Sequence, residues 1–152
     1  VRISAKADYA VRAAAELAAA GDGVPVPAEA LARAQGVPHR FLEVILSDLR
    51  REGIVSSRRG ARGGYVLARP ASEVTVADVV RAVDGPLVYV RDERPADLEY
   101  GGAASSLLHV WVALRANVRA VLEHVTLADL AAGAVPDVVR RLTEDEGAWY
   151  NP

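Results

Sequence analysis

Arg58, Arg59 and Arg62 fall within eight residues that also hold three glycines, Arg58-Arg59-Gly60-Ala61-Arg62-Gly63-Gly64-Tyr65. A guanidinium stays charged at physiological pH and offers a planar fork of N–H donors, so a cluster of three suits anions and phosphate oxygens in particular. The flanking segments, Ile54-Val55-Ser56-Ser57 and Tyr65-Val66-Leu67-Ala68, are β-prone, and the glycines permit the positive φ angles of tight turns. The run reads as the basic tip of a β-hairpin. Such a tip can meet backbone phosphates, enter a narrow A·T-rich minor groove where negative potential concentrates, hold a small phosphorylated ligand, or simply be a solvated loop. Neither the G-x-x-x-x-G-K-[ST] spacing nor a glycine-rich strand-to-helix turn is present, which disfavours a nucleotide-phosphate loop.

The elements before the hairpin narrow these options. Ser4 suits the N-cap of a helix running to about residue 20, with Ala10, Ala13, Ala14, Leu17 and Ala18 as its apolar stripe. Gly21-Asp22-Gly23 ends it, and Pro27 suits the first turn of a second helix over roughly 27–35. Gly36-Val37 forms a turn, after which Pro38 opens a third helix through about Glu52, stopped by Gly53. Helix, glycine-containing turn and helix describe a helix-turn-helix.

In the third helix Phe41, Leu42, Ile45, Leu46 and Leu49 form the expected buried stripe, leaving His39, Arg40, Glu43, Val44 and Ser47 outward. An outward face of this kind fits a major groove, with Arg40 suited to guanine and Glu43 to the cytosine amino group. Arg50 and Arg51 suit backbone phosphates. For any single residue a solvated polar face is the competing reading, but the order of helix, turn, helix and basic hairpin spells a winged helix-turn-helix. The expected fold class is mainly α with a small β-hairpin wing, in which this DNA-binding domain is joined to a long dimerisation helix.

After the hairpin, Thr75-Val76-Ala77-Asp78 resembles a capping box for a helix to about Val83, and Asp84-Gly85-Pro86 ends it. Leu87-Val88-Tyr89-Val90 follows as a strand or extended segment, then residues 91–102 as an exposed acidic loop. The stretch 103–125 is a helix in which Leu107, Trp111, Leu114, Val118, Val121 and Val125 recur at steps of four and three, the rhythm of a helix-helix seam. Packing on its own domain competes with dimerisation. A two-fold dimer is favoured because two copies would read the half-sites of a palindromic operator about one DNA turn apart. Thr126 to Asp129 repeats the capping pattern, and 136–142 can form a last helix before an acidic tail. The expected organisation is 1–86 for DNA binding, 87–102 as linker or effector loop, and 103–152 for dimerisation.

The 152 residues, half of them hydrophobic, contain no cysteine. This excludes disulfides and thiolate ligation of zinc or iron-sulfur clusters by these residues. Asp92, Glu93, Asp97 and Glu99 lack the spacing of an EF-hand, and no metal site is expected. Ser105, Ser106, His109 and His124 form no recognisable catalytic pattern, so an enzyme is not expected. No apolar run is long enough to span a membrane, and a cytoplasmic location is expected. The net charge of −2 divides unevenly: residues 1–70 carry eleven Lys or Arg against seven Asp or Glu, residues 71–152 seven against thirteen. A basic first half suggests a polyanion surface there and another task in the second half, though a chance split would look the same.

Taken in order, several groups of residues resemble the Rrf-two family of bacterial winged-helix regulators. They are Ile3 to Lys6, Tyr9 to Arg12, Gln35-Gly36-Val37, Phe41-Leu42-Glu43, Leu46, Leu49-Arg50, Gly53, Arg59-Gly60, Gly63-Gly64-Tyr65, Leu67 to Pro70, Ala82 to Leu87, Trp111 and Val125 to Leu130. The resemblance implies a dimeric repressor or activator of transcription, with residues 38–47 in the major groove and 58–64 in the minor groove of double-stranded DNA. Cluster-binding members of the family place three cysteines in the region corresponding to 88–106. This chain has none there; Ser105 lies near the last such position, and Asp8 where some members supply a ligand from the partner subunit. The expectation is a homodimeric repressor lacking its own iron-sulfur cluster, with no cofactor. The alternative is a regulator of the CymR type, controlled by a small-molecule effector or partner protein near 88–106, where Tyr89 and Trp111 could line a pocket.

Overall fold

The computed structural model describes residues 1–150. Helix α1 spans Ala5–Ala20, α2 Ala28–Gln35 and α3 His39–Arg51. Strands β1 (Val55–Arg58) and β2 (Gly64–Leu67) pair antiparallel, Val55 opposite Leu67 and Arg58 opposite Gly64. Helix α4 covers Val76–Asp84, α5 Leu107–Leu122, α6 Leu127–Ala132 and α7 Asp137–Leu142. Mainly helical structure with one hairpin is the class expected.

Local chemistry accounts for the helix starts. The Ser4 hydroxyl accepts from the Ala7 amide at 2.9 Å and donates to Asp84 at 2.5 Å, so one side chain caps α1 and ties it to the end of α4. Thr75 and Asp78 form a reciprocal capping box at 3.0 and 3.1 Å, as do Thr126 and Asp129 at 2.9 and 3.1 Å. The two boxes lie side by side: the Val76 amide donates to Val125 O and the Leu127 amide to Val74 O, each at 2.9 Å. Pro27 and Pro38 sit one position earlier than expected, as N-caps with extended ψ, where their missing N–H costs nothing.

The core is built on the alanine face of α1. Ala10, Ala13, Ala14 and Leu17 are buried against α3, α4 and α6, together with Leu42, Ile45, Leu46 and Leu49 of α3 and Leu127 of α6. Leu127 is fully buried, so α6 returns from the far side of α5 to complete the core of the first 86 residues. A division at residue 103 therefore leaves out part of the winged domain, because chain order alone does not show that α6 folds back.

Three further expectations change. Phe41 is 39% exposed and meets Tyr9 edge to face at 5.5 Å, outside the stripe of Leu42, Ile45, Leu46 and Leu49. Helix α5 begins four residues later than 103 and ends three before 125, the approach being a short 3-10 turn at Gly102–Ala104. The 91–102 segment is not wholly exposed, since Pro95 and Leu98 are buried and the 3-10 turn Pro95–Asp97 packs on α5.

Two glycines of the wing are required by space. A Cβ on Gly64 would lie 2.5 Å from the Val26 carbonyl, because Val26 pairs with Tyr65 through two hydrogen bonds of 2.8 and 2.9 Å and lies against β2. A Cβ on Gly63 would collide with the carbonyl oxygen of Arg58. Gly64→Ala, which also forces a side chain into φ +150, should cost about 1–3 kcal/mol in urea unfolding. Leu46→Ala, in the fully packed core, should cost about 2–5 kcal/mol in the same measurement.

Candidate nucleic-acid interface

Burial of Leu42, Ile45, Leu46 and Leu49 fixes the rotation of α3. With those positions inward, His39, Arg40, Glu43, Val44, Ser47 and Arg50 are all exposed. Val44 is 54% exposed, an apolar side chain on a polar face. His39 lies 3.5 Å from Glu43 and 3.6 Å from Glu29 of α2, so the first turn of α3 carries its own charge contacts. Arg40 makes no ion pair or side-chain hydrogen bond among the described residues.

The two arginines at the end of α3 differ. Arg50 donates to Ser57 Oγ at 3.4 Å, linking the helix to β1. Arg51 faces Asp48 at 3.1 Å and Glu52 at 3.6 Å, which neutralises much of its charge. Asp48 also takes Lys6 of α1 at 2.5 Å. Its carboxyl is held below the usual carboxylate range, chiefly by the hydrogen bond from Lys6, with Arg51 adding to it.

On the wing, Arg58 ends β1 while Arg59 and Arg62 lie in the five-residue connection to β2, closed by the Gly63 amide donating to Gly60 O at 2.9 Å. All three are exposed and none forms an ion pair among the described residues. Three cations without internal partners at the end of a short, stiff ribbon form an anion-seeking surface.

Sequence reasoning missed a cluster beside α3. The Arg12 guanidinium lies 5.1 Å from the Tyr9 ring centre, and Tyr9 in turn contacts Phe41. Arg12 also pairs with Asp8 at 2.9 Å and donates to Gln35 Oε1 at 3.1 Å and to the Gln35 carbonyl. Asp8 thus positions an arginine that braces the turn between α2 and α3. The signal was present in Asp8 and Arg12 at helical i,i+4 spacing, but their target across 23 residues was not.

In the second half, Arg81 of α4 and Arg119 of α5 both engage Glu123, Arg119 at 2.9 Å, clamping the two helices. The hydrogen bonds from Arg119 and then Arg81 lower the Glu123 carboxyl from 4.5 to about 2. Tyr89, Trp111 and Leu114 line one cleft of about 360 Å³ with Leu87, Val88 and Val90, and the Trp111 indole donates to the Tyr100 hydroxyl at 3.1 Å. Leu107, Trp111, Leu114, Val118 and Val121 are half-buried, so their stripe faces its own chain in part. Val125, the last position read into that seam, is buried and backbone-bonded to Val76, and so lies inside the chain. Val110 and Val112 on α5 are exposed. His109, His124 and Ser105 are exposed, and no group of three His, Cys, Asp or Glu donors converges among the described residues.

Residues 3–133 match the Rrf2 family, described as iron-dependent transcriptional regulators. The chain belongs to this family. Among the proteins similar to it is one from Mycobacterium tuberculosis H37Rv, named provisionally as an HTH-type transcriptional regulator. That protein is 52% identical over 145 residues, 95% of this chain and 90% of the relative. The regulator CymR of Bacillus subtilis is 34% identical over 135 residues, covering 87% and 91%. Its solved structure superposes with TM-score 0.71 at 32% identity, over 88% of this chain and 98% of that one. The IscR structure of T. potens gives TM-score 0.71 at 31% identity, over 88% of each chain. The protein is therefore a transcriptional regulator with a winged-helix fold. The iron in the family's description finds no thiolate in this chain, and among the described residues no group of three His, Cys, Asp or Glu side chains is arranged to hold a metal ion.

The α4–α5 clamp should respond to acid. Glu123 has a depressed carboxyl, so its contribution is fully present above the ordinary value of 4.5 and is lost as pH falls through about 2. The melting-temperature gap between wild type and Glu123→Gln should be constant above pH 5 and close as pH approaches 2.

Proposed function

We propose that the protein is a homodimeric repressor that reads a palindromic operator, with α3 in the major groove and the wing in the minor groove, and that it carries no iron-sulfur cluster of its own. The observation that carries this reading is the set of cations Arg40, Arg58, Arg59 and Arg62, without ion pairs among the described residues, on the exposed face of α3 and the wing tip, in a chain whose acidic residues elsewhere neutralise many of its other arginines. His39, Glu43, Val44 and Ser47 complete the base-reading face, and Arg50 and Arg51 flank it toward the phosphates, Arg51 weakened by Asp48 and Glu52.

Dimerisation is supported by α5, twelve of whose sixteen residues are apolar although none is buried within the chain. The half-covered stripe 107–121 and exposed Val110 and Val112 supply a surface for a second copy. No helix among the described residues is long and apolar enough to cross a membrane, and a DNA target places the protein's work in the cytoplasm.

A second reading is control by an effector or a bound partner protein. It is favoured by the Tyr89–Trp111 cleft and by likeness to CymR, whose solved structure is described as that of the global cysteine regulator of its organism. Removing the cysteine ligands leaves signal reception to such a site or to a partner.

Selection of bound sequences from a random duplex pool should return an inverted repeat with half-sites about one turn apart. Enrichment of no sequence at all would overturn the reading. On that operator Arg40→Ala should cost about 1–3 kcal/mol and relax one base position, whereas equal loss on every sequence would reassign it to a phosphate. Arg59→Ala and Arg62→Ala should each weaken binding and lower the salt slope by about one where the contact is to phosphate. Unchanged affinity for both at fixed salt would remove the wing from the interface.

A further inference from the structure

A second cleft, of about 320 Å³, opens between α4 and α5 and shares Leu87 with the Tyr89–Trp111 cleft. Its lining is Arg81 of α4, the helix exit Gly85-Pro86-Leu87, Arg94 of the following loop and Arg115 of α5. Residues 71–152 carry thirteen acidic side chains against seven basic ones, yet this cleft gathers three of those seven and is lined by no carboxylate. Such a convergence runs against the local charge balance.

The three arginines are not equally engaged. Arg81 pairs with Glu123, which it shares with Arg119. Arg94 and Arg115 form neither an ion pair nor a side-chain hydrogen bond among the described residues. Guanidinium forks without internal partners bind carboxylate and phosphate oxygens in pairs, and an anion between them also relieves their mutual repulsion. The exit turn is held in shape independently: Gly85 has φ +79, a Cβ there would meet the Tyr89 hydroxyl at 2.6 Å, and that hydroxyl donates to Asp84 O at 3.2 Å.

We propose that this cleft is a binding site for a compact, multiply charged anion, a phosphate- or carboxylate-bearing metabolite gripped by Arg94 and Arg115 with Arg81 at its inner wall. Its volume lies at the small end of ligand pockets, which favours a ligand of that size over a nucleotide. Arg81 and the Gly85 turn belong to the helix packed on α1 and its exit, while Arg115 belongs to α5, the helix whose apolar stripe is assigned to dimerisation. An anion held between them stabilises one arrangement of the DNA-reading domain relative to α5, and shifts DNA affinity to the extent that it prefers that arrangement. This regulatory step rests on the DNA-binding reading proposed above, whereas the binding step does not.

Isothermal titration of the full chain with sodium citrate and with sodium phosphate, ionic strength held constant with sodium chloride, tests the site without DNA. One saturable binding event with either anion is expected; citrate alone would identify a carboxylate ligand and phosphate alone a phosphorylated one. The double substitution Arg94→Ala, Arg115→Ala should abolish it while leaving the circular dichroism spectrum unchanged. Arg115→Lys, which keeps the charge but loses the fork, should weaken binding by about tenfold and serves if the double variant misfolds. No saturable binding of either anion, or equal affinity in the substituted proteins, would overturn the site. With selected operator DNA, the binding anion should shift the dissociation constant of wild type and leave that of the double variant unmoved. Loss of DNA affinity and of salt slope in a double variant, with no anion binding by the wild type, would make these arginines DNA-phosphate contacts and overturn the proposal.

Discussion

Close approach to the alanine face of α1 is the constraint on which the rest of the molecule depends. Ala10, Ala13 and Ala14 bring almost no side-chain bulk, so α3, α4 and α6 can all reach the same helix. Dense packing of this kind leaves little room to absorb a change of volume. It sets the rotation of α3, and with it the exposure of Arg40, Glu43 and Val44. The same helix carries Lys6 to Asp48 and Arg12 to Gln35, two polar ties that hold α3 and the preceding turn from the side. Recognition by a winged helix depends on a helix presented at one rotation, and here that rotation follows from the small size of residues on a neighbour.

Charge is distributed by a comparable economy. Arg51, Arg81, Arg119 and Arg140 are met by carboxylates within the chain, while among the described residues Arg40 and the three wing arginines are not. Exposed ion pairs of this sort contribute little stability, so their larger effect is to decide which cations are left for a partner. Along α3 the internal pairs remove Arg51 from the list of strong anion contacts and leave Arg40 on it. In the second half the same logic separates Arg94 and Arg115 from Arg81.

Much of the fold was legible in local sequence. Ser4, Thr75 and Thr126 announce helix starts because capping depends on residues three or four positions away, and the hairpin is announced by β-prone runs around glycines. The boundaries of α5 were less legible, since Gly101-Gly102 and the small residues after them permit a 3-10 turn where helical periodicity already holds. Phe41 was misplaced for a related reason. Its hydrophobicity fits the buried stripe, but the neighbouring face is occupied by Tyr9, and an edge-to-face contact at the surface is the result.

By itself the sequence determined the DNA-reading grammar, the order of helix, turn, helix and basic hairpin, and the absence of any thiolate chemistry, because these depend on residue type and short spacing. Only the tertiary structure decided which cations are spent internally, that α6 closes the core beside α1, and that Arg81, Arg94 and Arg115 converge on one cleft. Those facts depend on contacts between residues as much as 42 positions apart or more, as the Arg81–Glu123 and Ser4–Asp84 pairs show. No local pattern encodes such pairs, since the chain between them is free to place them together or apart until the core has packed.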